Sequence, residues 1–332
     1  YGDHRDLHLS IRRQRQMCIR DSCMPMTTRK GELIGVIQVL NKTDGGTFQE
    51  GDEKLLEALC IQAGVAIVRA RLTEAFLEKQ RIEESLKLAA DIQMGMLPSK
   101  FPAFPERNDF DLFASIVPAK EVGGDFYDFF LIDKKHLCFF IGDVSGKGIP
   151  AALFMTLTKT QIKASTSRRR TPEDVLYKAN NDLCHENESG MFCTLFYGIM
   201  NTETGEVTYA NAGHNPPYII RKNGEPVQIE STGGIALGVM EEMAFESATI
   251  TIAKGDSIFL YTDGVNEAMN EADEEYSYER LEDYLKENST GSITDMVNKN
   301  LESVKEFAGS APQSDDITVC LLYTSPSPRD RG

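Results

Sequence analysis

No run in this chain approaches the roughly 18 consecutive apolar residues that a membrane-spanning helix needs, so no segment of it is expected to cross a bilayer. No CxxC pair occurs, although there are seven cysteines. Cys23, Cys60, Cys138, Cys184 and Cys193 sit mostly in apolar surroundings and are expected as reduced side chains of a cytoplasmic protein. Positive charge is scarce, with 35 Lys+Arg against 51 Asp+Glu and a net charge of −16. The missing basic stripe argues against a nucleic-acid or anionic-membrane partner, which would need cations to collect its phosphates. Internal repeats and low-complexity tracts are also lacking. The surplus of acidic residues is free to gather cations.

The two ends differ from the rest. Back-translated, Met17-Cys18-Ile19-Arg20-Asp21 reads on its opposite strand, one frame over, as Cys-Leu-Leu-Tyr-Thr, which is Cys320 to Thr324. An inverted repeat at both ends of one reading frame resembles translated adapter sequence. Residues 1–22 and 320–332 are therefore set aside from the functional reading. Their removal takes away seven Arg and four Asp and leaves a net charge of about −19. About 300 residues remain, enough for one large domain and a smaller piece.

From Gly31, Glu-Leu-Ile-Gly-Val-Ile-Gln-Val-Leu-Asn predicts a turn and a strand, and a long helix is expected from near Gln49 to Pro98. Within it, Val65, Val68, Leu72, Ala75, Lys79, Ile82, Leu86, Ala89, Gln93 and Met96 alternate at spacings of three and four. This is the seam of a coiled coil, with Lys79 and Gln93 as polar positions that fix register. Pro98, Pro102 and Pro105 end the helix and open a strand-rich domain. Strands are expected at 110–117, 126–132, 137–141, 194–200, 206–210, 217–220, 248–252, 257–261 and 317–319. Helices are expected at 150–165, after the Thr171-Pro172-Glu173-Asp174 cap, at 277–286 and at 292–307. Hairpins with helices in separate blocks indicate an α+β fold of mainly antiparallel sheets.

Four acidic turns lie at expected strand ends: Gly123-Gly124-Asp125, Gly142-Asp143-Val144-Ser145-Gly146-Lys147-Gly148, Thr262-Asp263-Gly264 and Ser314-Asp315-Asp316. Taken singly, an Asp beside Gly caps a turn. Taken together, carboxylates without His or Cys partners form a hard-oxygen site suited to Mg²⁺ or Mn²⁺. Two such ions could activate water for in-line attack on phosphorus without a protein nucleophile.

The order and flanks of these motifs resemble the SpoIIE/RsbU-type branch of the protein phosphatase 2C (metal-dependent protein phosphatase) superfamily. The resemblance runs from about Ala90 to Val319 and takes in Gln93 to Pro98, Glu121 to Asp128, Gly142 to Gly148, Asn211 to Pro217, Tyr261 to Val265 and Asp315 to Val319. It implies two antiparallel sheets packed between helices and a phosphoserine/phosphothreonine protein phosphatase with two Mn²⁺ or Mg²⁺ ions. Asp125 matches the first metal-binding aspartate, Asp143 a bridging ligand, the Val144 carbonyl a backbone ligand, and Asp263 and Asp315 the late aspartates. Asp316, Asp128 and Lys147 are expected to support these ligands. Lys147 could also hold phosphate with the following helix N-terminus, against the plainer reading of a solvated lysine. His214, in Ala-Gly-His-Asn-Pro-Pro, is read as a structural hydrogen-bonding residue rather than a proton donor. No counterpart of the superfamily's early phosphate-binding Arg is found.

Residues 23–70 resemble the C-terminal part of a GAF sensor domain, 71–98 the helical linker and 99–319 the phosphatase domain. The resemblance further implies control through the linker helix in a homodimer, and a phosphorylated STAS-type anti-anti-sigma factor as substrate. Two other readings stand beside it: an inactive partner-binding module of the same fold, and a nucleotide cyclase suggested by Gly123-Gly124-Asp125-Phe126. The cyclase reading leaves the Asp263 and Asp315 motifs unexplained.

Overall fold

The computed structural model describes residues 21–325 apart from Arg29 and Glu186; the remaining tail-like residues, 1–20 and 326–332, lie outside the described part. Two compact units divide after Ser85. In the first, β1 (Asp21–Thr27) pairs antiparallel with β2 (Leu33–Leu40), and α1 (Glu50–Met96) follows, its last residues from Leu86 onward belonging to the second unit. The apolar residues Met24 and Met26 of β1 pack on Leu56 and Cys60 of α1, with Ile34, Ile37, Ala63 and Ile67 around them. β1 was not among the expected strands, and its first two residues fall in the segment set aside; its Pro25 lies opposite Val36 in a two-stranded ladder.

Acidic residues fill the first turn of α1, and Asp52 accepts from Gln49 N–H at 2.8 Å and Lys42 Nζ at 2.7 Å, satisfying the positive end of the helix. The helix then runs unbroken for 47 residues, as the absence of proline predicts. Val65, Leu72, Phe76 and Ile82 are exposed along it, which leaves an apolar face without a partner among the described residues.

The second unit contains two five-stranded antiparallel sheets. One has the order β10-β7-β6-β5-β4 and the other β3-β12-β11-β8-β9. The strands of the first are β4 (Phe126–Leu131), β5 (His136–Val144), β6 (Cys193–Asn201), β7 (Glu206–Ala212) and β10 (Ser247–Thr251). Those of the second are β3 (Phe110–Val117), β8 (Tyr218–Ile220), β9 (Pro226–Gln228), β11 (Ser257–Tyr261) and β12 (Ile317–Thr324). Period-two alternation explains the layering. In β11, Ile258 and Leu260 enter the core shared with the first sheet, while Phe259 and Tyr261 enter a second cluster with the helices on the outer face. Cys320 and Leu322 against Val319 and Leu321 divide β12 in the same way.

Helices α2 (Ile149–Ser165) and α3 (Pro172–Cys184) pack with the first sheet, and α5 (Ser277–Glu287) and α6 (Ile293–Ala308) with the second. A single turn, α4 (Asp263–Asn266), follows β11. At the start of α3, Asp174 accepts the Thr171 N–H at 3.3 Å and Pro172 stands in the first turn, the arrangement its sequence predicts.

One boundary differs from expectation. The last strand does not stop at Val319 but runs to Thr324, paired with β3 on one side and β11 on the other. Residues 320–324, set aside as tail-like, therefore complete the second sheet. The Thr324 hydroxyl anchors the strand end on the Ala253 and Asp256 carbonyls.

Candidate metal centre

Antiparallel pairing brings the acidic turns to one end of the sandwich. Phe126 of β4 lies opposite Gly142 of β5, so Asp125, just before β4, neighbours Asp143, next to last in β5. Asp263 follows the end of β11, and Asp315 precedes β12, which is paired with it. Asp125 joins the two sheets directly. Its Oδ2 accepts hydrogen bonds from the hydroxyls of Thr262 at 2.7 Å and Thr318 at 2.6 Å, both from the second sheet's edge of the site.

The electrostatics follow from this crowding. Burial and the neighbouring Asp143 hold Asp125 well above the ordinary carboxylate range. Burial, then Asp263 and Asp315, push Asp143 up to about 7. Asp263 is raised by burial and by Asp315. Several carboxylates at one low-dielectric point resist ionising together unless a cation neutralises them.

Gly124 contributes space. A Cβ there would stand 2.7 Å from the Val144 carbonyl oxygen and 3.3 Å from Asp143 Oδ1, filling the ground beside two expected oxygen donors. An all-oxygen donor set with carboxylates and a carbonyl fits a hard divalent ion. Among the described residues, no three His, Cys, Asp or Glu side chains converge closely enough to enclose one ion as they are arranged. Two of the expected ligands are engaged elsewhere: Asp125 by its threonines, and Asp315 by Lys147, whose Nζ lies 2.8 Å from Asp315 Oδ2 and also donates to the Ser314 carbonyl.

Asp316 has a different task from the cluster. Its Oδ1 accepts from Ala119 N–H at 2.7 Å and its Oδ2 from Gly124 N–H at 2.8 Å, which pins the Gly123-Gly124-Asp125 loop. Asp128 is not brought to the site. Its buried carboxylate pairs with Lys159 at 2.5 Å and Lys163 at 3.3 Å and ties α2 to the first sheet. Three residues beyond Asp125, it falls on the opposite face of the strand.

His214 is buried and held on both ring nitrogens, by the Thr194 hydroxyl at 2.9 Å and the Tyr261 carbonyl at 3.2 Å. Thr194 is the register partner of Asp143, and Tyr261 lies two residues before Asp263, so the ring braces both sheets behind the carboxylates. This is the structural hydrogen bonding expected of it.

Three contributors were not singled out in the sequence. Thr262 and Thr318 orient Asp125; the signal was a threonine at period two from Asp316 on β12, and another just before Asp263. The third is Gln93, which was assigned to a helix seam. It is buried instead, with Nε2 donating to the Gly123 carbonyl at 2.7 Å.

A four-layer αββα arrangement with carboxylates gathered at one end of its two sheets defines the class of protein phosphatase 2C-like domains. The SiaA-PP2C domain of Pseudomonas aeruginosa has this fold, with a TM-score of 0.66 at 21% identity, covering 75% of this chain and 98% of that one. Residues 133–325 match the family "Stage II sporulation protein E (SpoIIE)", and residues 2–67 match the GAF domain family. Protein IcfG of Synechocystis is 30% identical over 268 residues, covering 72% of this chain and 41% of IcfG. Phosphoserine phosphatase RsbU of Bacillus subtilis is 30% identical over 246 residues, covering 74% of this chain and 71% of RsbU. The chain belongs to the SpoIIE family, and its match to a GAF domain begins at residue 2, inside the segment set aside as tail-like, rather than at residue 23. Family membership removes the nucleotide cyclase reading.

Proposed function

We propose that this chain is a divalent-metal-dependent phosphoserine and phosphothreonine protein phosphatase. One observation carries the reading: strand pairing gathers Asp125, Asp143, Asp263 and Asp315, from separate segments, at the point where both sheets end, and burial with a neighbouring carboxylate raises each of the first three. Such a cluster calls for cations, and its oxygen donors suit Mn²⁺ or Mg²⁺. Asp125, Asp143, Asp263, Asp315 and the Val144 carbonyl would hold two ions. Such ions supply Lewis acidity and an acidified water for attack on phosphorus.

The chain's own groups set the geometry. Thr262 and Thr318 fix the Asp125 carboxylate, Asp316 fixes the loop that carries it, and His214 holds β6 against the end of β11. His214 has neither ring nitrogen free for proton transfer, so its part is positional.

Likeness to a phosphoserine phosphatase supports phosphoserine as the substrate group. The family resemblance supports a phosphorylated STAS-domain protein as the substrate, in a sigma-factor partner-switching pathway of the cytoplasm. Among the described residues no helix is long and apolar enough to cross a membrane. The unpartnered apolar face of α1 supports a homodimer through that helix.

The test is hydrolysis of phosphorylated STAS proteins by the Mn²⁺-loaded chain, with Asp143→Asn and Asp263→Asn as controls. Activity lost in both variants supports the reading. A folded, metal-binding chain with no hydrolysis of any phosphoserine substrate would leave the inactive partner-binding module in its place.

A further inference from the structure

A cavity of about 460 Å³ opens beside the carboxylate cluster. It lies between the C-terminal half of α6, the turn after α4, the end of β3 and the start of β12, and its wall includes Gly264 and Asp315. Val117, Ala268, Met269, Leu301, Ala308 and Ile317 make the lining mainly apolar, with Glu302 and Lys305 as charged residues on the α6 side. The volume falls within the range of clefts that take small ligands, about 300–1,000 Å³. We propose that this cavity receives an apolar side chain adjacent to the phosphorylated residue of the substrate polypeptide, and so selects phosphoserine sites by their flanking sequence. The inference rests on the phosphatase reading above.

Continuity with the site favours this occupant. Asp315 is 35% exposed and belongs to both the cluster and the cavity wall, so a phosphoserine presented to the cluster carries its neighbours over the cavity mouth. The rim is fixed in advance. Gln313 Nε2 donates to the Val117 carbonyl at 2.8 Å and the Asp315 carbonyl at 2.7 Å, tying the segment before β12 to the end of β3. A preformed apolar cavity rewards an apolar side chain without an ordering cost at the rim. An acidic side chain in its place would lose hydration against the apolar part of the wall and face the carboxylate cluster, while Lys305 in the lining is offset by Glu302 one helical turn away.

The test uses the full chain with Mn²⁺ and three probes: a phosphoserine pentapeptide flanked by leucines, the same peptide flanked by aspartates, and p-nitrophenyl phosphate, which has no flanks. The wild type is expected to prefer the leucine-flanked peptide in kcat/KM by about tenfold or more, the selectivity that apolar pockets reach. Ala308→Leu and Ala311→Leu fill the cavity from two positions. Each is expected to erase the preference while p-nitrophenyl phosphate turnover stays unchanged, which also reports an intact fold and site. Equal turnover of both peptides by a wild type that hydrolyses p-nitrophenyl phosphate overturns the cavity proposal and leaves the phosphatase standing. Preference surviving in both filled variants overturns it as well. No turnover of any probe overturns the phosphatase reading, and the cavity's role with it.

Discussion

Gln93, one turn from the end of α1, and Gly123, two residues before Asp125, exchange two hydrogen bonds: Gln93 Nε2 donates to the Gly123 carbonyl at 2.7 Å, and Gly123 N–H donates to Gln93 Oε1 at 3.2 Å. The helix that enters the phosphatase unit thus grips the loop that carries an expected metal ligand. Gln93→Ala leaves both buried backbone groups of Gly123 unpaired, at a cost of about 2 kcal/mol. Urea denaturation of the full chain is expected to show that loss, with a rise in the Mn²⁺ concentration needed for half-maximal hydrolysis. Lys79→Ala, on the exposed stretch of α1, is the control. An equal effect from both would show that the Gly123 contact carries no coupling.

That contact marks a limit of pattern reading. Spacings of three and four show that a helix has an apolar face, but not whether the face meets a second helix or the chain's own domain. Gln93 was read as a seam residue and turned out to be a ligand for backbone. The strands of the sandwich were legible because alternate residues enter two different cores, as Ile258 and Phe259 do. The four aspartate turns were legible because glycine and aspartate at strand ends stand out against β-branched and aromatic surroundings. Thr262 and Thr318 were not, since threonine at a strand end is what β propensity alone would place there. β9 spans three residues and is too short for any periodic signal.

Asp128, expected from the family resemblance to support the ligands, lies elsewhere in the structure. Its carboxylate is buried with Lys159, which is 11% exposed, and Lys163 lies over the Phe130 ring. Asp128→Asn strands the Lys159 ammonium in a low-dielectric setting, and removing one partner of a buried pair costs about 3–5 kcal/mol. The expected result is a large fall in stability with an unchanged Mn²⁺ requirement in the protein that remains folded. A shift in metal affinity without loss of stability would restore Asp128 to the site.

His214 supplies a pH signature. Burial pushes its imidazole down to about 4, so the native ring is neutral where an unfolded one, near 6.5, begins to protonate. As pH falls from about 6.5 towards about 4, the unfolded chain takes up a proton that the native ring refuses, and roughly 3 kcal/mol of stability is lost. The contribution is fully present above this window. Stability measured in the presence of a chelator is expected to fall less steeply in His214→Asn than in the wild type between pH 6.5 and 4. Parallel curves would mean that the native ring protonates freely.

Lys147 and a divalent ion compete for one carboxylate. The lysine stands between Gly146 and Gly148, both with positive φ, 82° and 79°, and this reversal lets its ammonium fold back onto Asp315 and the Ser314 carbonyl. A cation arriving at Asp315 must displace that contact. With about a third of each side chain exposed, the ion pair contributes only about 0.5 kcal/mol, so Lys147→Ala is expected to tighten Mn²⁺ binding by about twofold in calorimetry. Capture of the substrate phosphate by the same lysine predicts a different outcome: Mn²⁺ binding unchanged, and KM for a phosphoserine peptide raised.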